Sequence, residues 1–148
     1  MHSCSDVAKY FLCQASTDDG DLISNLKLQK LVYYAQGFSL ALHGEPLFPE
    51  PIEAWKHGPV VPALYREYRD FKSDAIPVPI DFDPSIFSRK TKQLLDEVYD
   101  VYGQYSAWKL RQLTHSESPW QDNYIEGVLS QQIPLEEMQA YFRDNLLD

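Results

Sequence analysis

Four histidines, two cysteines and one His-Ser-Glu run are the residues of this 148-residue chain whose types could do chemistry. His115-Ser116-Glu117 holds the side chains of a hydrolase triad. Adjacent positions cannot form one, because triad members converge from separate elements. His57 as a general base needs a nucleophile or an acid within reach, and the sequence marks none. His2, Cys4, Cys13, His43, His57 and His115 include zinc-ligand types, but no Cys-x-x-Cys or His-x-x-x-His spacing joins them. No Walker-type or dinucleotide glycine loop is present. The residues therefore nominate no catalytic centre, cofactor site or metal site, and the expectation is a protein that is not an enzyme. A small hydrolase using His57 or His115 is the rival.

Composition narrows the partners. The formal charge is −9 and the isoelectric point about 4.8, which argues against nucleic acid, since that binding rests on Lys and Arg at phosphates. The basic residues Lys27, Lys30, Lys56, Arg66, Arg69, Arg89, Lys90 and Lys92 are scattered over separate stretches and read as solvated faces. The acidic balance suits steering toward a basic protein partner. Cys4 and Cys13 lie nine positions apart in one predicted helix, which at about 100° per residue sets them on opposite faces and excludes a disulfide. No leader and no apolar run of membrane-spanning length is visible. A cytoplasmic protein is expected, with one domain over residues 1–148.

The elements that must position these residues are mostly helical. A first helix is predicted at Ser5 to Gln14 with Ser5 as its cap, then a polar loop from Ser16 to Asp21. Asn25 is predicted to cap a second helix over 26–43 that Gly44 ends. Leu28, Leu31, Val32, Ala35, Phe38, Ser39 and Leu42 share an arc of roughly 120°, and Leu26, Tyr33, Gly37, Leu40 and Ala41 occupy the other side. A helix apolar on both sides is buried on both. It is read as the centre of a compact, mainly α bundle. Pro46, Pro49 and Pro51 stop that pattern, and a small β element is expected near 46–56, followed by a tight corner at Gly58-Pro59. Leu64, Tyr65, Tyr68 and Phe71 then form an inward stripe. Ile76, Val78, Ile80 and Phe82 alternate as if extended against the body. Further helices are predicted at Ser88 to Tyr105, at Ala107 to Thr114 after the Ser106 cap, and from Pro134 onward.

These residues resemble the Panacea antitoxin domain, the SocA-like, prophage-associated family. The resemblance lies in Asn25-Leu26-Lys27-Leu28-Gln29-Lys30-Leu31-Val32-Tyr33-Tyr34-Ala35-Gln36, in Glu53-Ala54-Trp55 with Gly58-Pro59-Val60 and Leu64-Tyr65, and in Leu113-Thr114-His115 with Pro119-Trp120. It implies an antitoxin that binds and neutralises a toxin protein encoded beside it. Some similar proteins are instead adaptors that hand the toxin to an ATP-dependent protease. Some relatives carry an N-terminal DNA-binding segment, whereas this sequence begins directly at the domain.

Much of the matched sequence is explained by burial. What remains nominates partner-binding residues: Lys30, Tyr34, Trp55, Lys56, His57, Tyr65 and Trp120. Lys30 falls amid an apolar face, where it snorkels, pairs with Glu53 or meets a partner. Trp55 is expected beneath the corner that displays Lys56 and His57, and a rigid corner presents side chains at low entropic cost. Trp120 is either an anchor under its loop or, if exposed, a hot spot.

Overall fold

A computed structural model describes residues 1–15, 23–128 and 130–146; the predicted loop from Ser16 to Asp21 lies outside them. Its architecture follows from one helix. Helix α2, Asn25–His43, is enclosed along almost its whole length, from Asn25 to Leu40 apart from Leu26. Around it pack α1 (Cys4–Ala15), α4 (Arg89–Tyr102), α5 (Ala107–His115) and α7 (Leu135–Leu146). The short helices α3 (Pro62–Tyr68) and α6 (Ser118–Gln121), two 3-10 turns (Arg69–Phe71 and Pro84–Ile86) and a two-stranded antiparallel hairpin, β1 (Glu53–Trp55) and β2 (Gly58–Val60), complete the described elements. The fold is mainly α around a buried central helix, as the two-sided apolar pattern predicts. Gly37 supplies the closest approach: a Cβ there would enter the Phe142 ring of α7.

The caps differ from the predicted ones by a residue or two. Ser24, not Asn25, caps α2, its side chain accepting from the Lys27 N–H. Asn25 starts the helix and spends its side chain on the Tyr65 carbonyl and on Gln29. At α1 the Ser3 hydroxyl accepts from the Asp6 N–H, so the helix begins before Ser5. Gly44 ends α2 in the left-handed region at φ 74°, a conformation glycine adopts without steric cost. Helix α4 stops at Tyr102 rather than Tyr105, where the Gly103 N–H closes onto the Tyr99 carbonyl.

Two expectations about the middle of the chain are corrected. The alternation from Ile76 to Phe82 marks no strand: Ile76 is buried, with its N–H on the Ile23 carbonyl, but Val78 is exposed and Ile80 is 95% exposed. Pro77 and Pro79 remove the N–H groups a ladder would need. The stripe on α3 is also broken, since Leu64 and Tyr68 are buried while Tyr65 and Phe71 are each 37% exposed. No described helix is long and apolar enough to cross a membrane. Cys4 and Cys13 form no disulfide with each other, as their opposed faces require.

Candidate functional site

The hairpin is shifted from the predicted 46–56 stretch toward the C-terminus, and its turn is Lys56-His57 rather than Gly58-Pro59. Its register pairs Glu53 with Val60, Ala54 with Pro59 and Trp55 with Gly58. Gly58 sits at φ 117°, open in practice only to glycine, and a Cβ there would meet the Lys30 side chain and the Thr114 hydroxyl. The far side of β1 is held by residues 131–133: the Ala54 N–H donates to the Gln131 carbonyl and the Ile133 N–H to the Ile52 carbonyl, both at 2.8 Å. The Val61 N–H donates to Gln29 Oε1 on α2, and Trp120 Nε1 donates to the Trp55 carbonyl at 2.7 Å. A three-residue hairpin is too short to be stable alone; here it is tied to α2, to Trp120 and to residues 131–133.

Against this hairpin lies a cleft of about 500 Å³ lined by Asn25, Leu26, Gln29, Trp55, Lys56, His57, Val60, Tyr65, Arg69, Lys72 and Ser73. That volume falls in the ordinary range for ligand pockets, roughly 300–1,000 Å³. Trp55 and Tyr65 meet edge to face, with centroids 5.1 Å apart. Trp55 Nε1 donates to Glu53 Oε1 at 2.8 Å, which leaves the apolar part of the ring to the cleft. The floor is polar but satisfied, because Asn25 and Gln29 hydrogen-bond each other and the backbone around them.

The nominated residues separate into three groups. Trp55, Lys56, His57 and Tyr65 share the cleft. Trp120 is an internal brace: its ring stacks on His115 at 3.9 Å and on Tyr124 at 4.7 Å, while its N–H holds the hairpin. Lys30 and Tyr34 are fully enclosed. Lys30 neither snorkels nor pairs with Glu53; its Nζ has no hydrogen-bond partner. Burial, helped by the nearby Arg111 charge, lowers its pKa to about 7. Tyr34 stacks on Tyr102 and donates to Glu117.

Several basic residues that the sequence scatters converge in space. His57 is held below its ordinary pKa by partial burial and by the charges of Arg111, Lys56 and Lys30. His115 is lowered by burial, then by Arg111, Lys30 and His57, against a hydrogen bond to the Lys56 backbone that raises it. Arg111 lies 4.9 Å over the ring of Trp108, which is 60% exposed. No hydrogen bond joins either imidazole to a serine, cysteine or carboxylate side chain among the described residues, and no group of three metal-ligating side chains occurs among them.

Sequence reasoning missed Arg111, Trp108, Arg69, Lys72 and Glu117. Trp108 and Arg111 were readable: they stand three apart on α5, off the face that carries Leu110 and Thr114. Arg69 and Lys72 gave no signal, since only the packing of the chain after α3 against the hairpin brings them to the cleft. Glu117 was set aside with the false triad. It accepts from the Tyr33 and Tyr34 hydroxyls at 3.3 and 2.8 Å, and burial raises its pKa to about 7 against the pull of those two donors.

The geometry is that of a helical domain displaying a braced corner and a preformed aromatic–basic cleft. The chain belongs to the antitoxin SocA-like, Panacea domain family, whose pattern matches residues 28–121. It is also similar to the antitoxin SocA of Caulobacter vibrioides, at 57% identity over 44 residues. That stretch is 30% of this chain and spans 23% of the length of the relative. No solved structure matches significantly.

Proposed function

We propose that this chain is an antitoxin that neutralises a toxin protein by direct, stoichiometric binding, and that it does so as a single domain without catalysis. Family membership supports the antitoxin role. The observation that favours direct binding is the preformed cleft beside the braced hairpin, where Trp55 and Tyr65 offer aromatic surface next to Lys56 and His57. Tyrosine, tryptophan and basic side chains in a rigid setting make efficient protein-contact anchors, because little freedom is lost when the partner arrives.

The test is reconstitution. A toxin gene adjacent to this one is expressed alone and with this chain, and both purified proteins are mixed in an assay of the toxin's activity with no protease present. Inhibition that saturates at a fixed ratio supports direct neutralisation. Rescue of growth in cells without inhibition in the purified mixture overturns it in favour of delivery to a protease. Toxicity that persists in cells expressing both proteins overturns the antitoxin reading for that pair.

A further inference from the structure

We propose that the cleft beside the hairpin is a docking site for an acidic segment of the toxin, with an apolar side chain seated against Trp55 and Tyr65 and carboxylates on the Lys56, Arg69 and Lys72 rim. This rests on the binding role proposed above and specifies the chemistry of the partner surface. The inference comes from charge. The chain has 22 acidic against 13 basic residues, yet the cleft lining contains Lys56, His57, Arg69 and Lys72 and not one Asp or Glu. An acidic molecule that places three of its lysines and arginines on one concave aromatic surface presents there a lining opposite in sign to its net charge.

Glu53, Glu67, Asp70 and Asp74 stand close in sequence to lining residues, but none of them lines the cleft. Glu53 is engaged by the Trp55 ring N–H, and Glu67 accepts from the Ser5 hydroxyl on α1. Behind the turn the positive set continues with buried Lys30, whose Nζ lacks a hydrogen-bond partner, and with Arg111. Partial burial first, and then the charges of Arg111, Lys56 and Lys30, hold His57 below its ordinary pKa. The cleft interior is otherwise apolar or already hydrogen-bonded: Leu26, Val60, the Trp55 and Tyr65 rings, and the satisfied Asn25 and Gln29 amides. Apolar centre and cationic rim together fit a short acidic stretch carrying one large apolar residue. The basic partner surface that whole-chain charge suggests fits this face poorly.

The experiment uses the full chain and the toxin it neutralises, with association followed at 20 and 300 mM salt. The variant Lys56→Glu/Arg69→Glu/Lys72→Glu changes only exposed side chains. An equally charged control, Arg89→Glu/Lys90→Glu/Arg143→Glu, changes exposed side chains outside the cleft. The cleft variant is expected to associate roughly ten-fold or more slowly at low salt, with the gap closing at high salt, and the control to match the unmodified chain. Fifteen-residue peptides tiling the toxin are then titrated against the chain, and an acidic one is expected to bind and to lose binding when its Asp and Glu are replaced by Asn and Gln. Equal slowing by both variants would reduce the effect to net charge and overturn the proposal. So would unchanged association of the cleft variant, or binding only of peptides without carboxylates. In each of those cases neutralisation by the unmodified chain still stands, so loss of this inference is distinct from loss of the antitoxin reading.

Discussion

The Tyr34 hydroxyl donates a 2.8 Å hydrogen bond to Oε2 of Glu117, inside the protein. Tyr33, one residue earlier on α2, donates to the other carboxylate oxygen. One turn before them on the same helix, Lys30 is buried with an unpartnered Nζ. The central helix therefore meets an acid and carries a base, both enclosed, and no hydrogen bond joins the two.

Glu117 sets a pH dependence on the acid side. Its folded pKa of about 7 lies above the ordinary value of 4.5, so between these values the folded chain binds more protons than the unfolded one. Stability falls as pH rises through that window, by a total on the order of 3 kcal/mol. Glu117→Gln is expected to flatten the slope of the urea midpoint between pH 4.5 and 7. An unchanged slope would show that Glu117 ionises as freely in the fold as outside it.

Lys30 acts on the alkaline side. Its folded pKa of about 7 lies below the ordinary 10.5, so here the unfolded chain binds more protons, and stability rises as pH climbs from 7 toward 10.5. Together the two groups put a minimum of stability near neutrality. Lys30→Met, which keeps a long stem without the charge, is expected to raise the thermal midpoint at pH 7 and to leave it nearly unchanged at pH 10.

Gly58→Ala forces a Cβ against Lys30 and Thr114 at a backbone angle that L-residues avoid. The expected cost is about 1–3 kcal/mol, seen as a lowered urea midpoint with loss of partner binding. Gly44→Ala also occupies the left-handed region, but nothing lies within 4 Å of its added Cβ. It should cost about 1 kcal/mol and leave binding intact. A smaller loss for Gly58 than for Gly44 would show that the hairpin is free to shift.

Tyr65→Ala removes a partly exposed ring from the cleft wall. It is expected to weaken toxin binding by about 1–2 kcal/mol while moving the unfolding midpoint little. Trp120→Ala should do the reverse in order: it unpins the Trp55 carbonyl and the His115 stack, so stability falls first and binding follows. Calorimetric unfolding beside a binding titration separates the two patterns.

What the sequence revealed follows from which signals are local. The apolar pattern of α2 is carried by consecutive residues and predicted a helix enclosed on both sides. Ser106 was a good cap signal because capping acts over three residues, and Ser88, read as the first residue of its helix, is that helix's cap. The cleft depends on contacts between Asn25 and Tyr65 and between Trp55 and Trp120, which are 40 and 65 positions apart, and no periodicity encodes them. Lys30 was ambiguous for the same reason. Its helical angle predicted an apolar setting, but only the placement of Gly58 over it shows that its stem cannot reach water.

Pro59 lies in β2 opposite Ala54. A proline has no N–H to give, and its nitrogen fits that strand only where it faces away from the ladder. The outer border of the hairpin is thereby denied a donor, while β1's other border is already bonded to residues 131–133. A strand added along that border would find no N–H at Pro59. Under the proposed docking, recognition rests on the side chains of the cleft, so partners need share no backbone motif, only a matching knob and its charge.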